Sequence, residues 1–202
     1  MNKSRMEAFS DGVFAIVITL LILEIHLPFG TPPEQLGGAL YKLLPSLGAY
    51  VLSFFIVGLY WLVHHKHVHR IRLVTSPLLW INLVWLMFVS VIPFPTSLIG
   101  SYPLQVLPIV IYGANLICAN IAGFVVTIYC KRHPEIMADP ITPQAMAHLR
   151  PRYLLTNTLY LIGIGLAWVA PLVSYGIYIL VLFWLIYQYS QDRRVVAVTR
   201  GE

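Results

Sequence analysis

Long runs of apolar residues, separated by short polar segments, dominate the pattern of this 202-residue chain. A helix that crosses the hydrocarbon core of a bilayer needs about 20 mostly apolar residues. Six runs meet or approach this length, and they are continuous rather than alternating, which favours helices over strands. The predicted spans cover approximately residues 9–27, 47–65, 77–99, 104–129, 153–171 and 172–189.

Composition supports lipid as the main solvent of this chain. Hydrophobic residues make up 58% of the sequence, charged residues only 10%, and the mean hydropathy is +0.77. Soluble domains typically carry roughly 25% charged residues. We therefore predict an all-α polytopic membrane protein, folded as a single six-helix transmembrane domain over residues 1–202.

The positions of lysine and arginine predict the orientation of the spans. If the six spans hold, Lys42 is the only basic residue on one side of the membrane, and the other twelve share the side of the N-terminus. These twelve are Lys3, Arg5, Lys66, Arg70, Arg72, Lys131, Arg132, Arg150, Arg152, Arg193, Arg194 and Arg200. The positive-inside rule makes both termini cytoplasmic. The same bias accounts for the net charge of +5, so we expect no nucleic-acid partner.

The first predicted span has an apolar face that is distinct from its acidic residues. At 100° per residue, Ile16, Leu20, Leu23 and Leu27 fall on one narrow stripe, which Thr19 flanks. Asp11 projects about 140° away from Ile16 on the same geometry. A charge inside a bilayer is costly and needs a partner. We therefore expect the carboxylate to face neighbouring helices.

A short motif at the start of this span resembles a known family. Arg5, Phe9, Ser10 and Asp11 match an R-x-x-x-F-S-D signature, and the sequence GVFAIVITLLILEI follows it. In this motif and in its six-span pattern, the chain resembles prokaryotic members of the endosomal and lysosomal potassium channel family, transmembrane protein 175.

The resemblance implies a potassium-selective cation channel in the prokaryotic plasma membrane. Animal members carry two six-helix repeats and pair as dimers, so a chain with one repeat is expected to form a homotetramer. Four first helices would line a central pore that conducts potassium ions across the lipid bilayer. The resemblance places the constriction and hydrophobic gate on Ile16, Leu20 and Leu23, and a selectivity threonine on Thr19.

The signature residues are expected to anchor the first helix rather than to line the pore. Ser10 and Asp11 would bond to polar groups at the cytoplasmic ends of the second and third spans. The candidate partners are His64, His65, Asn82 and Trp85. In the alternative interpretation, Ser10 or Asp11 simply caps the N-terminus of the first helix.

Two polar clusters invite other interpretations. His65 and His69 are one helical turn apart and could bind a divalent metal, but Lys66 and Arg70 would repel a cation. We expect a basic rim there and no bound metal. Glu24 would contribute to a cation-attracting outer vestibule, although with His26 it could instead form a proton relay.

Other functional classes fit the sequence less well. A secondary transporter, the main alternative, would show inverted repeats and charged residues at mid-membrane, which spans two to six largely lack. An intramembrane enzyme would need a cluster of reactive side chains at one depth, and Cys118 has no ionisable neighbour within its span. The chain lacks GxSxG, HExxH and P-loop motifs. We therefore expect no enzymatic activity and no cofactor.

Overall fold

The computed structural model describes the backbone of residues 2–200 and the side chains of residues 2–191. Regular structure in this part of the chain is helical, apart from a single bridge between Ile71 and Met137. The helices are α1 (Lys3–Leu23), α2 (Leu36–Lys42), α3 (Leu44–Arg70), α4 (Ser76–Ser90), α5 (Pro93–Ser101), α6 (Val106–Arg132), α7 (Pro143–Leu166) and α8 (Pro171–Arg200). The side chains of Arg193, Arg194 and Arg200, which the orientation argument used, lie outside the described residues.

Five of the six predicted spans are confirmed as helices long and apolar enough to cross a membrane. They occupy Lys3–Leu23, Leu44–Arg70, Ser76–Ser101, Val106–Arg132 and Pro171–Gln191. The third of these consists of α4 and α5 in succession. Pro93 and Pro95 lack the N–H donors that would continue the ladder from α4, so the helix breaks between Ser90 and Pro93.

The predicted span at 153–171 is not among the helices that are long and apolar enough to cross a membrane. It falls in α7, which begins ten residues earlier, where the Thr142 hydroxyl accepts a hydrogen bond from the Ala145 N–H at 3.1 Å. The first half of α7 carries Arg150 and Arg152, and its apolar part is short, so α7 is not among the five apolar helices.

The limits of the first span also differ from the prediction. The Asn2 side chain accepts a hydrogen bond from the Arg5 N–H at 3.1 Å and starts α1 at Lys3, well before residue 9. α1 ends at Leu23, and Pro28 disfavours helical geometry in the residue before it. Leu27 therefore lies outside the helix, and its inclusion in the apolar stripe was wrong.

α7 runs antiparallel along α6. The Phe124 and Tyr153 ring centroids are 4.4 Å apart, and Asn120 Nδ2 donates to Asn157 Oδ1 at 3.0 Å. Further along, a Cβ on Gly113 would lie 2.7 Å from the Ile164 side chain. Because the residue number falls along α6 as it rises along α7, the two helices pair side by side over this whole stretch.

The loops at one end of the bundle are joined by backbone hydrogen bonds. The Arg72 N–H donates to the Ile136 carbonyl at 2.8 Å, and the Ala138 N–H donates to the Arg70 carbonyl at 2.8 Å. The end of α3, the start of α4 and the segment after α6 therefore share one end of the bundle.

Tyr178 of α8 packs against glycines of two neighbouring helices. Its hydroxyl donates to the Ile109 carbonyl at 3.1 Å, and its side chain is fully buried. A Cβ added to Gly163 would lie 2.7 Å from the Tyr178 ring, and one on Gly113 would collide with the Tyr178 hydroxyl. Small residues thus let α6, α7 and α8 approach each other closely, as helices in lipid require.

Replacing Gly113 with alanine should destabilise the bundle by about 1–3 kcal/mol, because the added methyl overpacks the contact with Tyr178 and Ile164. Thermal unfolding of the purified protein in detergent measures the effect. Gly165→Ala is the matched control, since a Cβ there meets nothing within 4 Å. Equal melting temperatures for the two variants would contradict this packing.

Candidate functional site: the exposed face of α1 and its anchor

Only one side of α1 packs against the rest of the described chain. The buried residues of the helix recur at intervals of three or four positions, as one face of a helix does. They are Met6, Ser10, Phe14, Val17 and Leu21. The opposite side has no partner among the residues that the structure describes.

We call this opposite side the exposed face of α1; it comprises Phe9, Ile16, Thr19, Leu20 and Leu23. Ile16 is 60% exposed and Leu23 is 68% exposed. The three aliphatic residues on which the family resemblance placed the pore constriction therefore all lie on this face. Glu24 follows directly as the exposed C-cap residue of the helix.

Thr19 interrupts the apolar character of this face with one hydroxyl. Its Oγ1 lies 3.0 Å from the Ala15 carbonyl oxygen and 2.9 Å from the Ile16 carbonyl oxygen, to which it donates. A hydroxyl has one donor hydrogen and two acceptor lone pairs. Donation to the helix backbone therefore leaves the lone pairs of Thr19 available to an external cation or water molecule.

The buried side of α1 is tied to α3 and α4 by a chain of side-chain hydrogen bonds. Asn82 Nδ2 donates to Ser10 Oγ at 3.1 Å, and Ser10 Oγ donates to the Met6 carbonyl at 2.9 Å. His64 Nε2 donates to Asn82 Oδ1 at 2.8 Å. All three side chains are buried. Because each buried polar group has a partner, this anchor of Ser10, Asn82 and His64 fixes the rotation of α1 about its axis.

Asp11 has a partner that the sequence analysis did not name. Trp61 Nε1 donates to Asp11 Oδ1 at 2.9 Å, which joins α1 to α3 a second time. Trp61 precedes His64 by three residues, so helical spacing places both on the side of α3 toward α1. The capping alternative is wrong, because α1 starts at Lys3 and Ser10 and Asp11 lie inside the helix.

The remaining candidate partners take other positions. The Trp85 ring packs against the rings of His64 and His67, with centroid distances of 5.3 and 5.9 Å. His65 Nδ1 lies 3.7 Å from a carboxylate oxygen of Glu7. Arg5 is exposed on the first turn of α1.

The histidine cluster divides between two sides of α3. His65 and His69 stack with ring centroids 6.3 Å apart, whereas His67 lies 2.8 Å from the Thr127 hydroxyl of α6. Within the described residues, no three side chains of His, Cys, Asp or Glu come together as a metal site would require.

These features define a polytopic helical membrane protein whose first helix keeps a mostly apolar face free and is anchored at its polar end. The family described as "Endosomal/lysosomal potassium channel TMEM175" matches residues 5–93, which include the signature motif, the exposed face of α1 and the anchor. The chain belongs to this TMEM175 family and is a prokaryotic-type member of it, which confirms the resemblance.

Relatives and a solved structure extend the similarity over almost the whole chain. A potassium channel of Chryseobacterium sp. (strain P1-3) is 35% identical, with 96% of each chain covered. A potassium channel of Streptomyces collinus is 35% identical, covering 85% of this chain and 86% of that one. The crystal structure of a lysosomal potassium-selective channel TMEM175 homolog from Chamaesiphon minutus superposes with a TM-score of 0.78 at 26% identity, covering 93% of this chain and 97% of the other. The chain is accordingly an integral membrane protein, and the plasma membrane is the expected location for a prokaryotic member.

Removing either end of the Ser10–Asn82 contact should destabilise the protein by about 1–3 kcal/mol, because the remaining buried group loses its partner. Unfolding of Ser10→Ala, Asn82→Ala and the double variant in detergent measures the coupling. The double variant should lose less than the sum of the single variants, by about 0.5–1.5 kcal/mol.

Ser90→Ala is the matched control for this cycle. The Ser90 hydroxyl is exposed and donates only to the Met87 carbonyl of its own helix, so we expect little change and no coupling to Ser10. Strict additivity of Ser10→Ala and Asn82→Ala would show that the anchor does not act as a unit.

Proposed function

We propose that the chain is one subunit of a homotetrameric potassium-selective channel, in which four α1 helices surround a central pore. The observation that carries this proposal is the exposed face of α1, which is apolar except for Thr19 and lies opposite the anchored face. The potassium channels of Chryseobacterium and Streptomyces among its relatives support the permeant ion.

The aliphatic residues of this face form the gate. Ile16 lies in the C-terminal half of α1, and Leu20 and Leu23 follow one and two turns later. Four isoleucine side chains around one axis make a ring without hydrogen-bonding groups. Such a constriction closes by dewetting and opens by a modest rotation or dilation of the helices.

Selectivity arises at the same level of the pore. No TVGYG filter sequence occurs in the chain, so backbone carbonyls of that kind are not the coordinating groups. An ion that passes the isoleucine ring must shed part of its hydration shell, and potassium holds this water less tightly than sodium. The lone pairs of the Thr19 hydroxyls, or water that they order, replace part of the shell. Glu24 at the outer end of α1 raises the local cation concentration.

The anchor holds one part of α1 in place while the rest of the helix can move. Ser10, Asn82 and His64, with the Asp11–Trp61 bond, hold the cytoplasmic part of α1 against α3 and α4. Signature-motif residues thereby fix which side of α1 faces the pore axis. The buried residues in the outer half of α1 are the apolar Val17 and Leu21, so this half tilts away from its neighbours more easily than the anchored half.

We further propose that α7 is the sixth span and that both termini are cytoplasmic. The antiparallel pairing of α7 with α6, from Phe124 and Tyr153 to Gly113 and Ile164, supports a crossing. The paired stretch alone is only about 11 residues, or roughly 16 Å, but α7 has 24 residues and is roughly 36 Å long, which exceeds the hydrocarbon core of about 30 Å. Packing of α7 against α6 and α8 offsets the weak hydropathy of its first half.

Ile16→Asn should raise the potassium conductance and lower the preference for potassium over sodium, because four amide side chains keep the constriction wet and let sodium retain its shell. Planar-bilayer recording of the purified protein under bi-ionic conditions measures both effects. Ile22→Asn is the matched control, since Ile22 is also an exposed isoleucine of α1 but points about 120° away from Ile16. Unchanged conductance and reversal potential in Ile16→Asn would refute the gate.

Cysteine labelling tests the sixth span. In a Cys118→Ser, Cys130→Ser background, a cysteine at Val169, in the exposed turn between α7 and α8, should react with a membrane-impermeant maleimide in intact cells. A cysteine at Ala138, beside the α3–α4 loop, should react only after permeabilisation. Labelling of both positions in intact cells, or of neither, would contradict the proposed crossing.

A further inference from the structure

An open apolar groove runs between α4 and α6. Its volume is about 420 Å³, within the roughly 300–1,000 Å³ of ordinary ligand sites. Trp80 and Val84 form one wall and Ile121 and Val125 the other, while Cys118 lies further along the groove on α6. Almost all of its lining surface is apolar, as a hydrocarbon chain would require.

The groove lies on the opposite side of α4 from the anchor. Asn82 points toward Ser10 of α1, and residues two positions away on a helix are rotated by about 200° from it. Trp80 and Val84 therefore face away from α1. The groove thus belongs to a surface different from the face that would line the pore.

Positive charge lies at one end of the groove. Arg132 follows Val125 by seven residues in the continuous helix α6, so it falls on nearly the same face, about 10 Å further along the axis. Arg72 lies at this same end, because its N–H donates to the Ile136 carbonyl just after α6. Both arginines are exposed. The nearby acid, Glu135, has its own partner in His133 at 3.0 Å, and a backbone hydrogen bond and this ring lower the pKa of its carboxyl.

Trp80 marks the boundary between the apolar and the charged part. It is the fifth residue of α4, close to the Arg72 loop, and its side chain is 69% exposed. Exposed tryptophans of membrane proteins concentrate at the level of the lipid headgroups. Trp80 with the two arginines therefore forms an interfacial end, and the groove continues from it into the hydrocarbon core.

We propose that this groove binds an anionic phospholipid of the cytoplasmic leaflet, with one acyl chain between Trp80 and Val125 and the headgroup phosphate on Arg132 and Arg72. The assignment to the cytoplasmic leaflet rests on the topology proposed above. A guanidinium binds phosphate oxygens in a bidentate manner. One basic residue at a membrane surface contributes enough binding free energy for about a fivefold preference for an anionic lipid over a zwitterionic lipid.

Fluorescence quenching of the full-length protein in vesicles tests this site. The probes are phosphatidylglycerol and phosphatidylcholine brominated in their acyl chains, and the Trp80 signal is the difference between the wild type and Trp80→Phe. With two arginines, brominated phosphatidylglycerol should quench Trp80 at about 25-fold lower mole fraction than brominated phosphatidylcholine. Arg132→Gln should reduce this preference to about fivefold, which Arg72 retains, and Arg132→Lys should keep most of it.

Arg150→Gln is the matched control, because it removes an exposed arginine from α7, away from the groove, and should keep the preference. Equal quenching by the two lipids in the wild type would overturn the headgroup site. No quenching of Trp80 by either lipid would overturn the acyl-chain site, and this is the result expected if a second copy of the chain covers the groove.

Potassium efflux from the same vesicles separates the lipid-site proposal from the channel proposal. Efflux without lipid preference overturns only the lipid site, whereas lipid preference without efflux overturns only the channel.

Discussion

The hydrogen-bonded anchor between α1, α3 and α4 is the contact on which the functional interpretation depends. In hydrocarbon an unpaired buried polar group is costly, so Ser10, Asn82 and His64 have strong reason to find each other. Their bonds leave α1 one rotational setting. In that setting the helix buries Phe14 and Val17 and leaves Ile16 and Leu23 exposed in the described part of the chain.

The proposed channel follows from this asymmetry. A helix held on one side by polar bonds, and free on the other over an apolar face, is suited to meet copies of itself around an axis. In the proposed tetramer, Thr19 would add a single ring of oxygen atoms beside an isoleucine ring, and its hydroxyl hydrogen is already used by the helix backbone. Dehydration and partial rehydration of the ion would then occur within about one helical turn.

The packing of α6, α7 and α8 depends on close approach between helices. There, glycines and alanines of α6 let neighbouring helices approach, and Gly113 and Gly163 accommodate the ring of Tyr178. On the outer surface of α4 and α6, an open groove between Trp80, Val84, Ile121 and Val125 remains instead of a close contact. The basic residues that orient the chain in the membrane also stand at the end of that groove, so one set of charges would serve topology and lipid binding.

The sequence by itself determined the helical class, five of the spans and the apolar stripe of α1, because the length and periodicity of apolar residues are local properties. It also named four candidate partners for Ser10 and Asp11, since a polar residue inside a span needs one; of these, Asn82 bonds Ser10, and His64 bonds Asn82 rather than Ser10. Only the tertiary structure decided that Trp61 bonds Asp11 and that α7 follows α6 in antiparallel register. These features depend on which helices are neighbours, and the hydropathy of a single segment carries no information about its neighbours.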